Sequence, residues 1–203
     1  MNLSNFLSDV LDAPGESVAI MKPVLLKISP VVIFLVALLY GACNKDEGRS
    51  LSGTDTINNI LVLSGDRYAV YGFSFEEGRV ISNLEPPGPD INIFLQTDAG
   101  GNVTGKYLDS DNLVESFSFD GQYLDAGEAG TAFASLLDIG TRTWQQAAWD
   151  LEENQVWLFK TIEGNYVKFR TIDIVVDEDR EPPFVELTFE WRIQPDGSTS
   201  FSE

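Results

Sequence analysis

This chain of 203 residues has no histidine, a single cysteine at Cys43, and only two methionines, Met1 and Met21. Each absence removes some chemistry. Without histidine there is no imidazole to serve as general base or metal ligand. One cysteine excludes an internal disulfide. Basic residues are also scarce: 13 Lys+Arg stand against 32 Asp+Glu, a formal net charge of −19. A surface of that sign repels nucleic acid, which proteins hold through Lys and Arg contacts to phosphate. It disfavours anionic lipid head groups for the same reason, and it favours solubility. No Gly-x-Ser-x-Gly elbow, P-loop or Gly-x-Gly-x-x-Gly is present. So acidic a chain offers too many carboxylate pairs for any one to point to glycosidase chemistry. The chain is expected not to be an enzyme.

What is present begins with an export signal. Met21 to Lys27 is short and carries Lys22 and Lys27. Val31 to Tyr40 is an unbroken apolar run, Gly41-Ala42 is a small pair, and Cys43 follows at once. A positive start, an apolar core and small residues at the cut are the parts of a secretory signal peptide. The cysteine after the small pair resembles the lipobox of bacterial lipoproteins. That resemblance implies cleavage between Ala42 and Cys43, and a diacylglycerol on the Cys43 thiol. The uncharged stretch 28–44 is interrupted by Ser29 and Pro30. It is shorter than the roughly 20 apolar residues a bilayer span needs. A cleavable signal helix over 21–42 is therefore expected rather than a retained span. Residues 1–20 contain Asp9, Asp12 and Glu16 and no basic residue. An acidic arm is the wrong start for a signal peptide, so translation is expected to begin at Met21. Residues 1–20 are then a mis-annotated extension, and the processed protein has no methionine at all.

Residues 43–54 are polar and glycine-containing, a flexible tether. Their Asp46-Glu47 pair resembles the surface-export signal of Bacteroidetes lipoproteins. It implies an outer-membrane, lipid-anchored protein that faces outward. The remainder, 55–203, is about one domain in length and reads as all-β. Strands are predicted over 57–63, 67–75, 79–81 and 91–96, with an alternating stretch over 113–119. Turns fall at Ser64-Gly65-Asp66, Glu77-Gly78 and 98–102, and Glu85 to Asp90 is a loop. Thr131 to Leu137 reads as a helical turn or two within an otherwise unassigned 127–149. Gln155–Thr161 and Tyr166–Ile174 flank Glu163-Gly164-Asn165 as a hairpin. Val185, Leu187, Phe189, Trp191 and Ile193 alternate with Glu186, Thr188, Glu190 and Arg192, the pattern of a strand with one buried face.

The last third carries a family resemblance. Val156-Trp157-Leu158-Phe159-Lys160-Thr161, then Gly164-Asn165-Tyr166-Val167-Lys168, is similar to the HmuY-type haemophore lipoproteins of Bacteroidetes. So is Leu187 to Ser198, with Phe189-x-Trp191 where that family has Phe-x-Tyr, and Trp144 matches a tryptophan before the hairpin. The resemblance covers roughly residues 140–203. It implies packed antiparallel sheets of the HmuY-like type, capture of haem, and delivery to a TonB-dependent outer-membrane receptor. The family's axial histidines and methionines have no counterpart here. Haem iron is also held by tyrosine, and Tyr123, in the part of the chain where the family's ligands lie, is the candidate. Asp109 to Asn112 and Asp177 to Asp179 are acidic runs without the glycine and distal glutamate of a calcium loop, and read as solvated loops. Two functions remain: a surface lipoprotein that captures haem or a related ligand, and a non-catalytic interaction lipoprotein that has lost haem binding.

The reading of the N-terminus has a direct check. Top-down mass spectrometry of the unprocessed precursor is expected to give a chain starting at Met21, and a recovered peptide from residues 1–20 would refute it.

Overall fold

The structure is a computed structural model and describes residues 49–112 and 114–201. Cys43, Ala42 and the whole signal segment lie outside the described residues. Among the described residues eleven strands and one helix follow in order: β1 Ser52–Asn58, β2 Leu61–Ser64, β3 Arg67–Ser74, β4 Arg79–Ser82, β5 Asn92–Thr97, β6 Val103–Asp109, β7 Phe117–Gln122, α1 Ala126–Ser135, β8 Ala148–Trp149, β9 Gln155–Lys160, β10 Tyr166–Asp177 and β11 Phe184–Gln194. They build three antiparallel sheets in the orders β1-β11-β10-β9-β7, β2-β3-β4 and β5-β6-β8. The two small sheets are joined where the Phe73 and Ile91 backbones exchange hydrogen bonds of 2.9 and 3.1 Å. All elements belong to one compact unit, Asp46–Glu203.

β11 follows its alternation over its full length: Val185, Leu187, Phe189, Trp191 and Ile193 are buried and their neighbours half-buried. β10 turns Val167, Phe169 and Thr171 to the same face, all buried, with Lys168 buried on the other face. A bulge between Thr171 and Asp173 then reverses the parity, so Ile174 and Val176 turn to the core. Facing them are Phe73, Ile93 and Leu108 from the small sheets, with Phe75 and Ile91 beside those strands. The inner layer is aromatic. Phe73 meets Phe75, Phe189 and Trp191 at centroid distances of 5.3, 5.3 and 5.1 Å.

The outer face of the large sheet is covered by α1. Asp125 caps the helix, its Oδ1 accepting from Gly127 N at 2.8 Å and Glu128 N at 2.9 Å. The other end closes on Lys168. Its Nζ donates to the carbonyls of Phe133 at 2.8 Å and Leu136 at 2.9 Å, between the rings of Phe133 and Phe201. The side chain is 1% exposed. Burial, with the nearby Arg192 guanidinium, lowers its pKa. The helix carbonyls favour its charged form.

The sequence and the structure differ in a few places. One strand was expected over 57–63, but β1 and β2 are separate. Asn58 Oδ1 accepts from Ile60 N at 3.1 Å, an Asx turn. Asn59 then ties the corner to Pro183 and Val185. β1 also starts at Ser52, inside the stretch expected to be tether, because residues 52–58 pair with β11 from Arg192 back to Glu186. β7 lies three residues beyond the predicted 113–119 at its C-terminal end, and α1 starts at Ala126 rather than Thr131. β6 and β8 were not anticipated: β6 carries glycine and lysine, and β8 has only two residues.

Two positions at the junction of the small sheets generate predictions. A Cβ at Gly72 would collide with the Ile91 carbonyl oxygen and Asn92 Oδ1 and sit 2.7 Å from Pro89 Cβ. Gly72→Ala is expected to destabilise by at least about 2 kcal/mol, read as a lowered urea midpoint. Asp90, 7% exposed, accepts from Phe75 N at 2.7 Å and from Ser74 Oγ at 3.3 Å. Burial, against the two backbone N–H donors and helped by Glu76 and Glu163, raises its pKa from 3.8 to about 6. The folded state therefore holds a proton that the unfolded chain releases between those values. The stability this contributes is full below pH 3.8 and is lost as pH rises through about 6. Urea unfolding of wild type relative to Asp90→Asn should lose roughly 2–3 kcal/mol between pH 4 and pH 7. A pH-independent difference would refute the assignment.

Candidate functional site

The turn between β9 and β10 departs from turn chemistry. Thr161 N donates to Asn165 O at 2.9 Å, Gly164 N to Thr161 O at 3.0 Å, and Gly164 takes a φ of +87°. The residue carried at its tip is Ile162, 72% exposed, where a polar side chain is the norm. The turn is braced from a distance by Glu76, which follows β3. Its Oε1 accepts from Thr161 Oγ1 at 2.8 Å and Asn165 Nδ2 at 2.9 Å, while Oε2 pairs with Arg49. Opposite the turn, Asn112 Nδ2 donates to the Lys160 carbonyl at 3.1 Å and Lys160 N donates to Ser116 O at 2.9 Å. Val114, 61% exposed, stands on this second wall.

Between the walls is an open cleft of ≈750 Å³. Val114 and Ile162 supply its apolar surface, and Lys160, Glu115 and Glu163 its charges. The Lys160 Nζ lies 5.8 Å from the centroid of Tyr166. The one hydroxyl in the lining, Thr161, is already engaged by Glu76. The arrangement can hold an amphipathic molecule by apolar contact and by one ammonium. No lining side chain is an imidazole, thioether or phenol, so iron placed here would find none of these three ligands in the lining.

Tyr123 stands elsewhere, just after β7. Its hydroxyl donates to Asp120 Oδ2 at 3.3 Å, and Asp120 pairs with Arg142 at 2.8 Å. Burial and the Asp120 carboxylate raise the Tyr123 pKa, which holds the ring as a phenol. A phenolate, the form that ligates iron, is disfavoured there. The bulge in β7 brings Asp120 and Tyr123 together, a pairing the sequence signals only as two polar residues three apart.

The acidic runs serve their own turns. Asp109 Oδ1 accepts from Ser110 N at 2.9 Å, and Asp177 Oδ1 from Asp179 N at 3.2 Å. Among the described residues no group of three or more His, Cys, Asp and Glu is placed to hold a metal ion. No described helix is long and apolar enough to cross a membrane. Lys160 and Ile162 were not anticipated as site residues. The legible signal was an isoleucine at the tip of a glycine turn.

No protein-family model matches this chain, and a search of curated proteins gives no match.

Proposed function

We propose that this chain is a lipid-anchored, non-catalytic binding protein of the bacterial outer surface, of the HmuY type, that captures an amphipathic ligand in the cleft beside the β9–β10 turn. The observation that carries the reading is the exposure of Ile162 and Val114 in one cleft that Lys160, Glu115 and Glu163 also line. A rigidly braced turn that presents an aliphatic tip to water costs hydrophobic free energy unless something covers it. One ammonium beside that surface fits a ligand with an apolar face and a carboxylate. Haem, which the resemblance implies, has both. Held in this cleft, it would be bound by its face and a propionate and not through iron. Anchoring through lipid on Cys43 and transfer to a TonB-dependent receptor complete the proposed role. A second reading, an interaction lipoprotein without a small ligand, is favoured by the bare β2 strand described below.

Haemin titration followed at the Soret band tests the first reading. Saturable one-to-one binding is expected, weakened about tenfold or more by Ile162→Asp and less by Lys160→Ala. Tyr123→Phe is expected to leave the spectrum and affinity unchanged. Spectra identical to haemin beside an inert protein would remove the capture role, and a Soret shift on Tyr123→Phe would move the site to Tyr123.

A further inference from the structure

Among the described strands only β2 is exposed at every position. Leu61, Val62 and Leu63 are 55%, 42% and 61% exposed. β2 is also the free edge of its sheet. The chemistry of that edge follows from the hairpin that makes it. Gly65, at φ +66°, opens a two-residue turn between Ser64 and Arg67. The residues flanking such a turn form a bonded pair, and bonded and non-bonded pairs then alternate. Val62 is therefore bonded to Ala69. Leu61, opposite Val70, and Leu63, opposite Tyr68, are non-bonded pairs whose N–H and C=O groups point away from β3. Val70 behaves as this requires. Its N donates to Asn83 Oδ1 at 3.0 Å and its carbonyl accepts from Asn83 N at 2.9 Å, away from β2.

The outer edge of β2 thus offers the backbone donors and acceptors of Leu61 and Leu63, flanked by apolar side chains. Edges of this kind are ordinarily guarded by lysine, proline, a bulge or a covering loop. β2 contains neither lysine nor proline, and its pairing with β3 runs without a register shift.

The edge is also complementary to itself. Leu61-Val62-Leu63 reads the same in either direction. A two-fold axis through Val62 sets Leu61 opposite Leu63 of the partner subunit, and Leu63 opposite Leu61 of the partner subunit. Both outward-pointing residues then meet an outward-pointing residue, which is the condition for antiparallel bonded pairs. Val62 meets its own copy in the closer, non-bonded pairing. No charge lies in β2, so no like charges are opposed. A two-fold interface requires a patch that complements itself.

We infer that this chain forms a two-fold dimer by antiparallel pairing of β2 with β2 of a second copy, which joins the two β2-β3-β4 sheets into one. The net charge of −19 opposes the approach of two copies. Salt screens that repulsion, so association strengthens with ionic strength. The inference does not depend on any ligand in the β9–β10 cleft.

Sedimentation velocity of the chain from Asp46 onward provides the test. The wild type is expected to dimerise reversibly, more tightly at high salt. Val62→Lys and Val62→Glu each place like charges face to face across the axis. Each alone should raise the dimer dissociation constant at least tenfold while circular dichroism stays native, because Val62 is partly exposed. An equimolar mixture of the two should recover the dimer. A wild type that stays monomeric at millimolar concentration in high salt overturns the proposal, including the case in which a different protein occupies this edge. So do a Lys variant that dimerises like the wild type and a mixture that stays monomeric.

Discussion

The fold depends on one packing contact: the aromatic side chains of β3 against those of β11. Phe73 lies in β3 and Phe75 follows it, while Phe189 and Trp191 come from the large sheet, with ring centroids 5.1 to 6.3 Å apart. All four side chains are buried. Among the described residues there is no cysteine, so no disulfide ties the two layers. The layers are held chiefly by area and ring geometry, with the bonds from Thr161 and Asn165 to Glu76 at one margin. This places a strict demand on the backbone near Phe73. Its N–H and carbonyl link the two small sheets through Ile91, and the glycine before it lets the two chains approach. The aromatic contact and the sheet junction are parts of one arrangement, because the same residue serves both.

The outer face of the large sheet solves a different problem. Lys168 alternates outward on β10 and would be stranded beneath α1, where a charge without partners is costly. The helix supplies what is missing. Its final carbonyls have no partners within the helix, and two of them accept from the ammonium. Each orphan satisfies the other, so the helix end and the lysine fix one another's place. Phe201 closes the site from the C-terminal segment, with its own backbone N bonded to Leu137 at 2.9 Å. Lys168, read in the sequence as part of a family resemblance, thus has a structural reason in this chain.

How much was legible follows from which physical signals are local. β11 was readable because one face of it is buried along its whole length, so alternation of side chains is the complete description. The β9–β10 hairpin was readable from Gly164. β6 and β8 were not, because β6 is mostly half-buried and β8 is defined by its partner strand rather than by its own residues. The split between β1 and β2 turns on a local Asx turn at Asn58 and on Asn59, whose side-chain partners lie more than a hundred positions away. The candidate site divides in the same way. Ile162 was not read as a site residue, though it stands as an apolar residue beside the Glu163-Gly164-Asn165 turn. The brace from Glu76, and the meeting of Val114 with Ile162 across a cleft, are long-range facts. Tyr123 was chosen by position in the chain, and its engagement with Asp120 depends on a bulge that no local pattern announces.

The acidic composition then acquires a second meaning. Read as a sum, −19 speaks of solubility and repulsion. Read residue by residue, many of these carboxylates accept backbone N–H groups that turns leave free. Asp98 takes those of Gly100 and Asn102, Asp125 those of Gly127 and Glu128, Asp138 that of Gly140, and Asp196 that of Ser198. Bonds from Asn102 lower the Asp98 pKa, and those from Gln194 and Ser198 bring Asp196 to about 2. Asp98 and Asp196 therefore stabilise the fold above their unfolded pKa and cease to as acid protonates them. Asp90 has the opposite sign because burial outweighs its two amide donors. Asp98 and Asp196 therefore add stability as pH rises toward 3.8, and Asp90 withdraws it as pH rises from 3.8 through about 6. In a chain without histidine, carboxylates alone shape that profile between acid and neutral pH, and their placement, not their number, decides it.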